Sequence, residues 1–191
     1  MILITGASRG LGRAVAERLT EGGKEVLGIS REIEGLPFEA LACDVSDYNA
    51  VKTIAQDLRK QKKEITGVIN AAGIASMNLA VTTPPSMTQK LIQTNLVGTI
   101  HCCQLFSPLM IRRKAGSIIN FSTIAVALGL KGESIYAASK AGVEGFSRAF
   151  AREMADFDIR VNCVAPGPIK TDLLKGVSDD QIEAIVSQQV M

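Results

Sequence analysis

The sequence has no tryptophan, only two tyrosines and one histidine, and its charges nearly cancel. The 21 basic and 19 acidic side chains leave a formal net charge of +2, so a domain-wide basic surface for nucleic acid is not expected. The scarcity of aromatic side chains also argues against a stacking platform for single-stranded bases. We therefore predict no nucleic-acid partner.

Long apolar runs are missing as well. The best candidate, Ile124 to Leu130, falls well short of the roughly 18 residues that a membrane helix needs. The residues after Met1 do not form the basic and then apolar segments of a secretory signal. We predict no membrane partner and a cytoplasmic location.

The four cysteines form no C-x-x-C pair, and the only histidine is His101. A structural zinc site draws four ligands from such residues, so no metal is predicted. Without a secretory signal, a disulfide framework is not expected either. The preferred interpretation is that the cysteines are small buried apolar side chains. They are Cys43, Cys102, Cys103 and Cys163.

Short runs of Val, Ile and Leu alternate with segments of helical periodicity along all 191 residues. Continuous apolar strands, each followed by a helix, predict a single α/β domain over residues 1–191, with a doubly wound parallel sheet and helices on both faces. Such sheets bind ligands beyond the carboxyl ends of their strands. The predicted strands are 2–5, 24–30, 38–43, 67–70, 117–121 and 159–164, and the long predicted helices are 87–111 and 135–155.

The first predicted strand leads into a glycine-rich turn that precedes a helix. Gly6 permits a tight turn, Gly10 removes a side chain where a ligand approaches, and Gly12 lets the helix pack closely on the strand. The start of the helix offers free N–H groups and a positive dipole end to a phosphate. This placement predicts a dinucleotide site, and the alternative is a tight turn without a ligand. The predicted cofactor contacts here are Gly6, Ser8, Arg9, Gly10, Leu11 and Gly12.

The end of the second strand is where an acidic residue would bind the free ribose hydroxyl of NAD. This chain has Ser30 and Arg31 there. Arg31 and Arg9 could converge on a 2′-phosphate, to which Ser30 adds a hydroxyl, and this favours NADP(H). Two alternatives stay open: both arginines are solvated surface residues, or Glu32 approaches the ribose.

The ends of the third and fourth strands supply further cofactor contacts. Asp44 either accepts a hydrogen bond from the adenine amino group or caps the next helix. The small residues after the fourth strand leave room for a cofactor lying over the sheet. The contacts predicted at these two ends are Asp44, Val45, Asn70, Ala71, Ala72 and Gly73.

Tyr136 and Lys140 are four residues apart, which places both on one helix face. A nearby cation lowers the pKa of a phenol from its ordinary value near 10, so the pair is suited to general acid–base chemistry at an alcohol or ketone oxygen. The same spacing also occurs between ordinary surface residues. Asn95 lies on the inward face of its helix, where its amide must find partners. Ser122 and Thr123 end the fifth strand, and either hydroxyl could hold a substrate oxygen.

Together, these motifs resemble the short-chain dehydrogenase/reductase family, and especially its 3-oxoacyl-acyl-carrier-protein reductases and related carbonyl reductases. The resemblance spans essentially the whole chain and implies a Rossmann-type domain. It also implies an NADP(H)-dependent oxidoreductase that moves a hydride between nicotinamide and a carbonyl/alcohol pair, with a 3-oxoacyl thioester as the expected substrate. It rests on residues 5–12, Asp44, residues 70–73, Asn95, Tyr136 with Lys140, and Pro166-Gly167 followed by Thr171.

The resemblance also implies a role for each catalytic residue. Tyr136 transfers the proton, Lys140 holds the nicotinamide ribose and lowers the pKa of Tyr136, and Asn95 supports a water-linked proton relay. The family's substrate-orienting serine lies thirteen residues before the tyrosine, a position that holds Thr123 here. We assign that role to Thr123 and keep Ser122 as the alternative.

Following the sixth strand, a loop resembles the one with which the family holds the nicotinamide. Its implied contacts are the backbone of Ile169 and the hydroxyl of Thr171, although Thr171 could instead cap the next segment. The cofactor contacts implied in this region are Pro166, Gly167, Ile169 and Thr171, together with Tyr136 and Lys140.

Family members usually continue beyond the helix predicted to start at Ser178 with another helix and a strand, so we expect that C-terminal helix and strand to be missing here. The resemblance implies a homodimer or homotetramer. Two rival interpretations stay open. One is a non-catalytic dinucleotide-binding regulatory or partner subunit, which Thr123 in place of serine slightly favours. The other is a nucleotide-sugar epimerase.

Overall fold

A six-stranded parallel sheet forms the centre of the computed structural model, which describes residues 1–169 and Ser187. Its strands are β1 (Ile2–Thr5), β2 (Val26–Ser30), β3 (Ala40–Ala42), β4 (Gly67–Asn70), β5 (Gly116–Phe121) and β6 (Ile159–Val164). Their order across the sheet is β3-β2-β1-β4-β5-β6, so the chain winds outward from β1 in one direction and then in the other. The predicted doubly wound α/β fold is confirmed.

The register of the sheet brings the carboxyl ends of its central strands to one edge. Thr5 of β1 lies beside Ile29 of β2 and Asn70 of β4. Asn70 in turn pairs with Asn120 of β5. The loops that follow these strands therefore gather at the same edge.

The helices and short turns connect these strands. They are α1 (Gly10–Glu21), α2 (Tyr48–Lys60), a 3₁₀ turn (Ala80–Thr82), α3 (Pro85–Leu91), α4 (Gly98–Phe106), α5 (Pro108–Ile111), α6 (Ala125–Leu128) and α7 (Ser134–Ala155). A π-helical segment, Ile92–Val97, joins α3 to α4. The helix predicted at 87–111 thus begins at Pro85, and it is interrupted before Pro108, which lacks an N–H group to continue the hydrogen-bond ladder. The helix predicted from Ser178 lies outside the described residues.

Apolar cores lie on both faces of the sheet because neighbouring strand residues point in opposite directions. Leu3 belongs to a large core that also contains Phe106 of α4 and Phe150 of α7. The next residue, Ile4, packs with Ala16 of α1 on the other face. The central strands are therefore covered on both sides, which explains their continuous apolar runs.

Two further findings concern the described residues only. None of their helices is long and apolar enough to cross a membrane. They contain no group of three His, Cys, Asp or Glu side chains that could hold a metal ion. All four cysteines are free thiols, and only Cys163 is partly exposed.

Candidate active site

A cavity of about 550 Å³ follows the carboxyl edge of the sheet. It extends from the glycine-rich turn after β1 to Tyr136 and Lys140 on α7. Its volume lies within the range of about 300–1,000 Å³ that is usual for small-molecule sites. Within residues 1–169, every predicted site residue lines this cavity except Asn70 and Asn95, and Thr171 lies outside the described residues.

The glycine-rich turn is shaped by close backbone contacts. Gly6 has a φ of +68°, and a Cβ there would lie 2.7 Å from the Cα of Ala72. A Cβ on Gly12 would overlap the carbonyl oxygen of Gly6. α1 begins at Gly10, and the residue before it, Arg9, provides no side-chain cap. The first N–H groups of α1 are therefore available to an anionic ligand.

Arg9 and Arg31 come together at the outer end of the cavity. Both are exposed and border a second surface pocket that Ser8 and Glu32 share. Neither arginine forms an ion pair within the part of the chain that the structure describes. The Ser30 hydroxyl accepts a hydrogen bond from the Ser8 N–H at 3.0 Å, which ties the end of β2 to the glycine-rich turn.

Asp44 lines the same outer end in a fixed orientation. Its Oδ1 accepts hydrogen bonds from the Ser46 N–H at 2.9 Å and the Ser46 hydroxyl at 2.7 Å. Burial raises the pKa of Asp44, but these bonds and the charges of Arg31 and Lys90 outweigh it, so the pKa lies below its ordinary value. Asp47, not Asp44, caps α2, so the helix-cap interpretation of Asp44 is wrong, and its contact with the adenine amino group stays a prediction.

Asn70 does not line the cavity, unlike the three residues that follow it, and its contact with the cofactor stays a prediction. Alternation along β4 turns its side chain to the same face as Val68, where helices cover the sheet. There its Nδ2 donates to the Oδ1 of Asn120 at 2.8 Å, and the Nδ2 of Asn120 donates to the Ser147 hydroxyl at 2.8 Å. Asn70 is 2% exposed, and the cavity begins with the next residue, Ala71.

Asn95 is fully buried in the π-helical segment and bridges two parts of the site. Its Oδ1 accepts from the Ile74 N–H at 2.8 Å, and its Nδ2 donates to the Ile74 carbonyl at 2.9 Å and to the Ser139 hydroxyl at 3.0 Å. The Ser139 hydroxyl donates to the carbonyl of Tyr136 at 2.7 Å. The side chain of Asn95 therefore positions the loop after β4 against the start of α7, and its part in a proton relay stays a prediction.

The hydroxyl of Thr123, rather than that of Ser122, lies close enough to the phenol of Tyr136 to affect its pKa. This contact acts to lower the pKa of Tyr136. The hydroxyl of Ser122 instead donates to Oε1 of Glu144 at 2.6 Å. Although both residues line the cavity, the structure brings only the Thr123 hydroxyl to the tyrosine.

The pKa of Tyr136 is raised, contrary to the expected effect of Lys140. Burial is the largest cause, and the charge of Glu133 adds to it. The ammonium of Lys140 donates a hydrogen bond to the carbonyl of Phe121 at 2.8 Å. It is not among the groups that change the pKa of Tyr136. Burial also lowers the pKa of Lys140 to about 8. Tyr136 is therefore a protonated phenol at neutral pH.

Three residues of the site were missed from the sequence. Glu133 lines the cavity one helical turn before Tyr136, and that spacing could have revealed it. Asn120 is a polar residue within an apolar strand, and it lies beside Asn70 in the register. Ser139 was noted only as a small residue, although its hydroxyl connects Asn95 to Tyr136.

The family described as short chain dehydrogenase has a model that matches residues 1–182 of this chain. The chain belongs to the short-chain dehydrogenase family. Its architecture and the positions of its cavity residues agree with that membership, and it is an oxidoreductase of this family.

The relatives carry different functional names. The 3-oxoacyl-[acyl-carrier-protein] reductase of Bos taurus is 36% identical over 189 residues, which cover 94% of this chain and 80% of that protein. Carbonyl reductase family member 4 of Xenopus laevis is 37% identical over 191 residues, covering 96% and 81%. The ligand-free structure of an aldohexose dehydrogenase from Thermoplasma acidophilum superposes with a TM-score of 0.87 at 30% identity, covering 97% of this chain and 76% of that one.

Proposed function

We propose that this short-chain dehydrogenase is an NADP(H)-dependent enzyme that interconverts a carbonyl compound and its alcohol. The observation that carries the proposal is the grouping of the Tyr136 phenol, the Thr123 hydroxyl and the Lys140 ammonium at one end of a single cavity. The other end of that cavity presents an uncapped helix N-terminus and two arginines.

The cavity suits a nicotinamide dinucleotide. A Cβ at Gly73 would lie 3.4 Å from the Lys140 ammonium nitrogen, so the glycine leaves open space beside that charge. We assign the first N–H groups of α1 to the pyrophosphate, Arg9 and Arg31 to the 2′-phosphate, and Lys140 to the nicotinamide ribose. When bound, the nicotinamide ring donates or accepts the hydride.

The residues of this chain bind the substrate oxygen and transfer the proton. A substrate carbonyl oxygen between the hydroxyls of Tyr136 and Thr123 accepts two hydrogen bonds, and Tyr136 gives up its proton as the alcohol forms. The raised pKa of Tyr136 keeps the phenol protonated at neutral pH, which suits the direction of carbonyl reduction. Lys140, whose pKa is about 8, is mostly cationic at that pH and stabilises the phenolate that remains.

A 3-oxoacyl thioester is the first substrate class to test. The name of the bovine relative supports it. Partly buried apolar side chains at the tyrosine end of the cavity, Ile74 and Leu130 among them, also suit an acyl chain. We propose a homodimer or homotetramer in the cytoplasm, and sedimentation velocity will measure the number of chains.

The decisive experiment is a substrate screen with both cofactors. Purified protein is assayed for NADPH and NADH oxidation with acetoacetyl thioesters and a panel of small ketones. We expect turnover that Tyr136→Phe reduces by about 10²–10⁴-fold, the range of general acid–base contributions. NADPH affinity, measured by fluorescence titration, should be nearly unchanged in that variant.

The other tyrosine of the chain provides the matched control. Tyr48 is exposed on α2, away from the cavity, so Tyr48→Phe should retain wild-type turnover. Full activity in Tyr136→Phe contradicts the mechanism. NADPH binding without turnover on any substrate supports a non-catalytic dinucleotide-binding subunit instead.

A further inference from the structure

Beside Tyr136 the cavity holds a carboxylate to which the proposed reaction gives no role. Glu133 immediately precedes α7 and is only 8% exposed. It lines the cavity, and its charge contributes to the raised pKa of Tyr136. The carboxylate therefore lies close to the phenol and within reach of a bound substrate.

No group among residues 1–169 forms a hydrogen bond or ion pair with this carboxylate, and it does not cap α7. Among the described side chains, the only nitrogen or oxygen atom that is both enclosed and unpartnered is Oδ1 of Asn70. The oxygens of Glu133 are therefore accessible, and the space that reaches them is the cavity.

An unpaired carboxylate in such a place is unfavourable for the free protein. Burial raises the pKa of Glu133, which records the loss of water around its charged form. Its residue neighbours in the cavity include Ala125 and Leu130, which offer apolar side chains rather than hydrogen-bond donors. A ligand that donates a hydrogen bond to the carboxylate offsets this loss of hydration, whereas a ligand that places another hydrogen-bond acceptor there adds to its cost.

The position of Glu133 limits where that donor can be. Glu133 directly precedes the first turn of α7, which contains Tyr136, and its charge acts on the Tyr136 phenol, so the two side chains border the same part of the cavity. Because Tyr136 contacts the reacting oxygen in the proposed mechanism, a group that reaches Glu133 at the same time lies only a few bonds from the reacting carbon.

We propose that Glu133 is a specificity-determining residue that accepts a hydrogen bond from a substrate hydroxyl next to the reacting carbonyl. This inference rests on the proposed function and narrows its substrate class to hydroxylated carbonyl compounds. An unsubstituted 3-oxoacyl chain offers Glu133 no such donor and is expected to be the poorer substrate.

Two ketones of matched size test this selectivity. 1-Hydroxybutan-2-one and pentan-3-one differ by a hydroxyl in place of a methyl group. We expect the wild-type protein to prefer the hydroxylated ketone in kcat/KM by about 10–100-fold, the range for a hydrogen bond to a charged group. Glu133→Leu should bring the ratio close to one, and Glu133→Gln, which keeps an acceptor without the charge, should give an intermediate ratio.

Glu153→Gln is the control, because Glu153 is an exposed residue of the same helix, and it should keep the wild-type ratio. A binding measurement independent of turnover accompanies the kinetics. With NADPH present, butane-1,2-diol should raise the melting temperature of the wild-type protein and of Glu153→Gln. It should not raise that of Glu133→Leu.

The outcomes separate this inference from the proposed function. Turnover of both ketones with equal kcat/KM, unchanged in the Glu133 variants, overturns the role of Glu133 and leaves the proposed function intact. If no carbonyl compound is reduced, the proposed function fails, and the diol-induced shift alone decides whether Glu133 receives a hydroxyl.

Discussion

The two ends of the cavity are built differently. At the outer end, the arginines Arg9 and Arg31 are exposed and form no ion pairs within residues 1–169. At the inner end, Asn95, Ser139 and Lys140 are buried, and each is hydrogen-bonded to another part of the chain. One end offers solvent-exposed charges to a ligand, and the other holds buried hydrogen-bonding groups in fixed positions.

This difference predicts how substitutions act. At the inner end, removing a fully buried side chain such as Asn95 leaves buried partners unsatisfied, so stability and chemistry should change together, whereas the partly buried Thr123 should affect mainly the chemistry. At the outer end, a substitution removes a solvated charge and should change ligand affinity with little effect on folding. Substitutions that test this distinction at neutral pH follow, from the largest expected effect to the smallest, and one effect confined to alkaline pH comes last.

Asn95→Ala should be the most damaging change at the inner end. It leaves the N–H and carbonyl of Ile74 and the hydroxyl of Ser139 without their partner. We expect a loss of about 2–4 kcal/mol in the free energy of unfolding, since unsatisfied buried groups cost about 1–3 kcal/mol each and relaxation recovers part of the sum. Urea unfolding measures it.

The control for this substitution is Asn78→Ala. Asn78 is exposed and donates only to the neighbouring Ser76 hydroxyl, so its removal should change stability by less than about 0.5 kcal/mol. Equal free energies of unfolding for Asn95→Ala and Asn78→Ala would show that the buried hydrogen bonds of Asn95 contribute no more to stability than those of a surface residue.

Thr123→Val should lower kcat/KM about 30-fold without a comparable loss of stability. The change keeps the shape of the side chain but removes the hydroxyl that we assign to the substrate oxygen beside Tyr136, at a cost of about 2 kcal/mol. Thr123→Ser should retain activity. Ser122→Ala should change kcat/KM much less, because its hydroxyl is directed to Glu144. A larger loss in Ser122→Ala would transfer the substrate-orienting role to Ser122.

At the outer end, Arg31→Ala should raise the Kd for NADPH about tenfold and leave that for NADH nearly unchanged. Only NADPH carries the 2′-phosphate, and a charge-assisted contact with it is worth about 1.4 kcal/mol. Fluorescence titration of both cofactors measures the effect, and the free energy of unfolding should stay at the wild-type value. Equal losses for the two cofactors would show that Arg31 does not bind the 2′-phosphate.

The difference between the two ends also explains what the sequence could predict. The glycine-rich turn and Arg31 were found because local spacing and strand ends decide where they lie. The same holds for Tyr136 and Lys140, which share one helix face. These features depend on residues that are close in sequence, and such local patterns can be recognised from the sequence alone.

The contacts of the inner end depend on distant parts of the chain. Asn95 meets Ser139 across 44 residues, and Asn70 meets Asn120 across 50. Lys140 was expected to act on Tyr136, but its ammonium is bonded to the carbonyl of Phe121 at the end of β5. Tertiary packing decides each of these hydrogen bonds. Residue spacing therefore predicted which side chains belong to the site but not which groups they bond to.

The last expected effect concerns Lys140 and is confined to alkaline pH. Burial lowers its pKa from 10.5 to about 8 in the folded chain. Between these values the unfolded chain holds a proton that the folded chain has released, so this group makes the free energy of unfolding rise as pH increases from about 8 to 10.5. Lys140→Met should remove a contribution of about 3 kcal/mol from that rise, since each pKa unit of the shift corresponds to about 1.4 kcal/mol.

Urea unfolding across this pH window measures the contribution as the difference between the wild-type protein and Lys140→Met. Other groups, such as the buried Cys43 with a pKa of about 11, are present in both proteins and cancel in the difference. Lys131→Met, at an exposed position near the same cavity, should keep the wild-type pH dependence. If both lysine variants follow the wild-type dependence of unfolding free energy on pH, the ammonium of Lys140 is as well solvated as a surface charge. Lys140 would then not differ from the exposed arginines of the outer end.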